Sequence, residues 1–295
     1  MDKQPFYKRH GRRIIQAAST FLHNPLLSGF FTHRIYQGKL KSVCVPGLNC
    51  YSCPAAVGAC PIGSFQQSLY AHKVPYYVLG VLILIGVTLG RVVCGFLCPF
   101  GLLQDLLYKI PFFKKINRFK GDKVLRYLKY VILAVFVIIL PLFFVDAPTF
   151  CKYICPQGTL QGGLTLAPSA STMLNLTLGF LFTWKVAILA VILLLCLLIY
   201  RPFCKYLCPL GAIYGLFNPI ALIGLRVDKQ RCTECGACTG ACKMCLTPYK
   251  QANNPECIRC GDCIKTCPHK ALKLGTPIKN KRRNDGDGKE EKDGI

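Results

Sequence analysis

The chain has 295 residues, a formal net charge of +24, 20 cysteines and a mean hydropathy of +0.37. The hydropathy points to a membrane protein, and the length excludes the short, loop-rich disulfide scaffolds in which cysteine is usually so abundant. The basic residues come with no soluble face of groove-reading or aromatic elements, which excludes nucleic acid as a partner; they suit membrane-lipid anchoring and counter-charge for anionic thiolate clusters.

In chain order, residues 1–13 carry Lys3, Lys8, Arg9, Arg12 and Arg13, a segment expected to stay on the cytoplasmic side. No cleavable signal-peptide pattern follows it. Apolar runs at 14–31, 74–93, 130–145 and 179–200 are read as about four membrane spans, the first interrupted by His23, Asn24 and Pro25. Between the second and third lie Lys109, Lys114, Lys115, Arg118, Lys120, Lys123 and Arg126, an inner loop by charge. The loop from the third to Thr183 holds only Lys152 and reads as outer. Residues 100–108 and 210–225 read as short helices in the interface. A multi-pass protein of the cell membrane with both termini cytoplasmic is expected.

Cys-Pro-x-Gly occurs at Cys60, Cys98, Cys155 and Cys208. Three of these have a second cysteine four residues upstream, at Cys94, Cys151 and Cys204. At the fourth the upstream partner is Cys53, with Cys50 behind it. Two thiols four apart fall on one face of a helical turn; the proline ends the turn and the glycine permits a reversal. The corners recur as a tandem repeat of two parallel halves. A pseudo-twofold axis along the membrane normal would gather Cys94, Cys98, Cys204 and Cys208 at the inner face. It would gather Cys53, Cys60, Cys151 and Cys155 at the outer face. Each corner offers two thiolates and a cubane takes four, so one or two further iron–sulfur clusters are expected here. Helix-end packing or disulfides are the plainer alternative. Cys44 and Cys50 are spare, open between a disulfide and alternative iron ligands. Cys196 reads as a small apolar residue.

Composition changes after residue 225. The division expected is 1–225 for the membrane domain, 226–275 for a small α+β domain and 276–295 for a disordered charged tail; the whole is mainly α. Cys232-x2-Cys235-x2-Cys238-x3-Cys242 is followed by Cys257-x2-Cys260-x2-Cys263-x3-Cys267-Pro268. This is the spacing of two-cluster ferredoxins, in which the fourth cysteine of each run serves the other cluster. Two [4Fe–4S] clusters are therefore expected, one on Cys232, Cys235, Cys238 and Cys267, the other on Cys257, Cys260, Cys263 and Cys242. Lys243 stands where the first run would have proline, and Cys245 competes with Cys242.

The corners CGFLCPFG, CKYICPQG and CKYLCPLG, followed by the dicluster run, resemble the polyferredoxin-type membrane proteins related to the nitrate-reductase maturation protein NapH and the nitrous-oxide regulator NosR. The resemblance covers nearly all of residues 12–275. It implies a membrane iron–sulfur protein that passes electrons, or sets redox state, between donor and acceptor proteins. The segment CVPGLNCYSCPAAVGACPIG is richer in cysteine than a simple corner, and the chain has no counterpart of the regulator's large flavin-bearing outer domain. An electron conduit is the expected function. A redox or metal sensor or assembly factor acting through the outer cysteines, and a metal-ion reductase, are the alternatives.

Overall fold

The computed structural model describes residues 6–32, 34–111, 114–144, 147–167 and 179–276; nearly all of the expected tail lies outside them. Two helices are long and apolar enough to cross a membrane, Asp122–Phe143 and Phe180–Leu198, with mean hydropathies of 2.1 and 2.6. Their outer faces stay uncovered: Val131, Phe143, Phe180, Trp184 and Leu194 are exposed, a surface suited to lipid rather than water. The run at 74–93 forms a shorter helix, Tyr76–Thr88, ended by Gly90 in the left-handed region at φ 53°.

The first expected span does not form. The helix Phe6–His23 stops before Asn24-Pro25, because proline lacks a donor and bars its predecessor from helical geometry. A single turn at Gly29–Thr32 follows. The segment after it is partly buried, at Leu48, Cys53, Ala55, Ala56 and Cys60. It returns into the molecule, closed by Val45 N–H to Ala59 O and Ala59 N–H to Val43 O. Gly47 packs where an added Cβ would sit 3.1 Å from the Cys98 Cα. The helices Pro99–Tyr108 and Pro209–Phe217 each pack one face into the molecule: Phe100, Gln104, Asp105, Leu210 and Tyr214 are buried. Each begins with proline directly after a motif cysteine, where the missing N–H costs nothing.

The helix around Leu133–Ile139 widens to π geometry just before Pro141. A π turn would pair the Phe136 carbonyl with the N–H of residue 141, which proline lacks. That carbonyl instead accepts Gln66 Nε2 at 2.7 Å and Thr149 Oγ1 at 2.5 Å, tying this helix to the corner at Cys60.

Residues 224–275 form a two-stranded antiparallel sheet, β1 (Gly224–Val227) against β2 (Leu272–Gly275), with short helices Ala237–Ala241 and Asp262–Thr266. Its own core is only Leu225, Cys238, Cys263 and Leu272, too little to hold a fold of this size by burial alone. It is instead bolted to the helical region. Buried Arg259 donates to the carbonyls of Leu89, Ile223 and Asn218. Asn218 Nδ2 donates to Asn254 O and Cys257 O, both at 2.8 Å.

Two arginines cross-brace the halves. Arg91 and Arg201 each stand three residues before a motif cysteine and are fully buried. Arg91 Nη2 donates to Cys204 O at 3.1 Å, and Arg201 Nη1 donates to Cys94 O at 2.5 Å. Arg91 is neutralised by Glu256 at 3.1 Å and Arg201 by Asp105 at 2.6 Å. Burial alone would raise the Asp105 carboxyl, but Arg201 and Arg12 hold it below the usual carboxylate range. Arg201→Leu strands a buried carboxylate and a buried carbonyl, so a loss of about 3–5 kcal/mol is expected. Arg231→Ala, which removes an exposed pair with Asp228, should cost under about 1 kcal/mol. Thermal unfolding of the two variants in detergent checks the contrast.

Candidate metal centres

In the C-terminal segment the two cysteine runs fold alike. Glu234 (φ 53°) and Gly236 (φ 76°) in the first match Arg259 (φ 52°) and Gly261 (φ 80°) in the second. Left-handed residues beside each second cysteine turn successive N–H groups to one side, a concavity suited to anionic sulfur. Cys232, Cys235, Cys238 and Cys267 line one cleft of about 340 Å³. Cys242, Cys257, Cys260 and Cys263 line another of about 490 Å³. Cys245 lines neither cleft. It sits at φ 58°, and its thiol donates to Asn117 O at 3.2 Å. Lys270, three residues after Cys267 as Cys245 is three after Cys242, shares that left-handed turn at φ 49°. Cys245 thus occupies a turn position, while Cys242 faces the cleft.

In the helical region Cys94, Cys98, Cys204 and Cys208 come together. The Cys98 thiol feels Cys204 and Cys94, and the Cys208 thiol feels Cys204, Cys94 and Cys98. Hydrogen-bond donors converge on the sulfurs. Gly211 N–H reaches Cys208 Sγ at 3.3 Å, and Gln104 Nε2 reaches Cys204 Sγ at 3.1 Å. Cys98 receives the N–H groups of Gly101 and Leu48. The motif glycines have a second task. A Cβ on Gly101 would meet Arg201 at 3.3 Å, and one on Gly211 would meet Arg91 at 3.4 Å. The arginine–carbonyl brace leaves little room for a side chain at Gly101, where the Cβ would also meet Cys94 O at 3.1 Å.

A second quartet forms from Cys60, Cys151, Cys155 and Cys50. The Cys155 thiol feels Cys50 and Cys60, and the Cys151 thiol feels Cys155, Cys60 and Cys50. Cys53, expected in this set, points elsewhere. It is fully buried, its thiol faces Asn24 Oδ1 at 3.7 Å, and it packs with Ala55 and Ala56 against Cys50. Cys44 joins neither quartet; its backbone N–H donates to the Tyr77 hydroxyl. Cys196 is buried within the helix Phe180–Leu198.

A glutamine six residues after three of the motif cysteines went unread in the sequence, though the spacing is there: Gln66, Gln104 and Gln161. Each reaches the first cysteine of the other half. Gln161 Oε1 accepts Cys50 N–H at 2.9 Å, Gln66 Oε1 accepts Cys151 N–H at 3.4 Å, and Gln104 bonds Cys204. At the fourth corner Tyr214 takes the place. Its hydroxyl donates to Pro46 O at 3.0 Å and lies among Cys94, Cys60, Cys98 and Cys44.

The four thiol sets stand in a row. The two clefts adjoin, since Cys263 feels both Cys242 and Cys238. The second cleft abuts the first quartet, where an added Cβ on Gly95 would lie 2.5 Å from Ile258 O. The quartets themselves adjoin: backbone Leu48 lies beside Cys98 and backbone Asn49 beside Cys60. The expectation that they occupy opposite faces is therefore corrected. The return of residues 44–60 into the core brings them side by side.

Burial pushes the thiols up, to about 11 at Cys60 and about 12 at Cys98 and Cys155, with neighbouring thiols adding to the rise at all three. Such thiols ionise together only with strong positive charge among them, which iron supplies. Among the described residues no three His, Cys, Asp or Glu side chains close round a single ion. A cubane, taking each thiolate at a separate iron corner, suits four thiols, N–H donors to sulfur and nearby cations.

The 4Fe-4S binding domain family matches residues 74–120, 128–169 and 180–229, and each stretch contains one Cys-x3-Cys-Pro corner. An uncharacterized protein of Methanocaldococcus jannaschii is 29% identical over 69% of this chain and 79% of its own. The ferredoxin-type protein NapH of Haemophilus influenzae is 27% identical over 71% and 72%. The regulatory protein NosR of Pseudomonas aeruginosa is 30% identical over 66% and 26%. No solved structure matches. The chain is an iron–sulfur protein of the electron-transfer kind. It is a polyferredoxin-type protein related to NapH and NosR.

In metal-free protein at pH 8, exposed Cys235 should take up iodoacetamide, while Cys60, Cys98 and Cys155 should not. A raised thiol pKa leaves the reactive thiolate scarce until pH climbs toward about 11–12. Mass-spectrometric mapping across pH checks the order.

Proposed function

We propose that the protein conducts electrons between a cytoplasmic donor and an acceptor in or beyond the membrane. In this reading the chain crosses the bilayer several times with both termini cytoplasmic, which the two long apolar helices and the basic 109–126 stretch support. The clefts at Cys232–Cys267 and Cys242–Cys263 would each hold a [4Fe–4S] cluster, and Cys94, Cys98, Cys204 and Cys208 would hold another. The observation that carries the proposal is the unbroken packing from set to set: Ile258 against Gly95, then Leu48 and Asn49 joining Cys98 to Cys60.

Bound clusters supply one-electron chemistry at potentials set by hydrogen bonds to sulfur, local charge and burial. The chain's own residues set those quantities. Gln104, Leu48, Gly101 and Gly211 donate N–H groups to the sulfurs of the first quartet. Buried Arg91 and Arg201 lower its net negative charge and fix the spacing of the halves. Cys98 and Cys208, both buried, keep that quartet dry. Cys232 is half-buried and Cys235 exposed, so the first cleft is where a soluble partner can approach.

The test uses inside-out vesicles carrying full-length protein and a sealed, membrane-impermeant acceptor. An external reductant should reduce the C-terminal clusters of wild type and Cys98→Ser alike. Reduction of the enclosed acceptor should fall to background only in the variant. Transfer at the wild-type rate through Cys98→Ser would overturn the proposed route.

A further inference from the structure

The segment around Cys50 offers three thiols upstream of Cys60, and sequence spacing does not choose among them. The geometry does. The positions where Cβ atoms would be added to two motif glycines mark out a common space between the halves. At Gly158 that position is 3.7 Å from Cys155 Sγ and 3.8 Å from Cys50 Sγ. At Gly63 it is 3.9 Å from both Cys151 Sγ and the Cys60 Cβ. Gly162, one turn on, approaches Cys50 Sγ at 3.5 Å. Any side chain at these glycines would enter the space the four sulfurs surround.

The glutamines identify Cys50 independently. Gln66 accepts from the backbone N–H of Cys151, and Gln161 accepts from that of Cys50. Gln66 and Gln161 hold equivalent places after Cys60 and Cys155, so Cys50 is the counterpart of Cys151. Cys53 has no such bracket; its thiol is spent on Asn24. Charge adds a third observation. Lys185 is the one charged residue in the apolar helix Phe180–Leu198, and its field acts on Cys50, Cys151 and Cys155. A charge in such a helix is costly unless it serves a site. Lys41, buried at the other side, acts on both Cys53 and Cys50 and donates to Ala56 O at 2.7 Å, so it does not choose between them.

We propose that Cys50, Cys60, Cys151 and Cys155 bind a second iron–sulfur cluster in the helical region, with Cys53 a structural residue outside the ligand set. The Gly158 N–H bond to Cys155 Sγ at 3.3 Å and the Asn49, Ile62 and Gly63 N–H groups on Cys60 are the donors such a cluster needs. The assignment rests on the electron-path reading in one respect: this cluster is the station beyond the Cys94 quartet, next to the acceptor.

Anaerobically purified full-length wild type, Cys50→Ser, Cys151→Ser, Cys53→Ser and Cys94→Ser proteins test it by iron, acid-labile sulfide and EPR of the reduced state. Cys50→Ser and Cys151→Ser should each lose about four irons and the same EPR component. Cys53→Ser should keep both. Full iron in Cys50→Ser, or loss of that component in Cys53→Ser, would overturn the assignment. Size-exclusion profiles and intact C-terminal cluster signals show that the variants fold. If Cys94→Ser loses about four irons and Cys50→Ser loses none, only this inference fails. If neither loses iron, the electron-path reading fails with it.

Discussion

The structure depends on an exchange of arginines between two similar half-chains. Arg91 bonds the carbonyl of Cys204 and Arg201 bonds that of Cys94, so each half holds the other's cysteine turn in place. Both guanidinium groups are fully buried, where an unpaired charge would cost several kcal/mol. Each is paired with a carboxylate, Glu256 or Asp105. Glu256 belongs to the C-terminal segment and also takes Lys129 Nζ at 2.5 Å. One ionic network therefore fixes the cysteine quartet and docks the small domain beside it.

The glycines and glutamines of the motif follow from that arrangement. At the arginine-braced corners the glycine lies against the guanidinium of the opposite half, most tightly at Gly101. At the other two it lies against sulfur. The glutamine six residues on satisfies a backbone donor or a sulfur of the opposite half, groups that burial would otherwise leave orphaned. Where tyrosine replaces it, at Tyr214, the side chain reaches past its own quartet to Pro46, in the loop that separates the two sites. The motif is best described as Cys-Pro-x-Gly-x-x-Gln, a contact device between halves.

Much of this was legible in the sequence. The dicluster spacing grouped eight of the nine C-terminal cysteines into the two sets that line the clefts, because there ligand spacing and local backbone are coupled within a few residues. Cys94, Cys98, Cys204 and Cys208 were legible as a set from repetition alone. The segment 24–60 was not. Hydropathy read 14–31 as a span, but Asn24-Pro25 ends that helix. The chain then turns back into the core through loop hydrogen bonds, which have no periodicity to detect. Cys53 was favoured over Cys50 by nearness to Cys60, whereas the contact that singles out Cys50 comes from Gln161, more than a hundred residues away. Pairing at that range leaves no trace in local spacing.

The central claim is that thiols from both halves share a site. The most direct measurement is the iron lost by Cys94→Ser, by Cys208→Ser and by the double variant of the full-length protein, purified without oxygen. A shared site predicts that each single variant loses about four irons and that the double variant loses no more than either alone. Losses that add in the double variant would mean that each half binds its own metal, and would contradict the account.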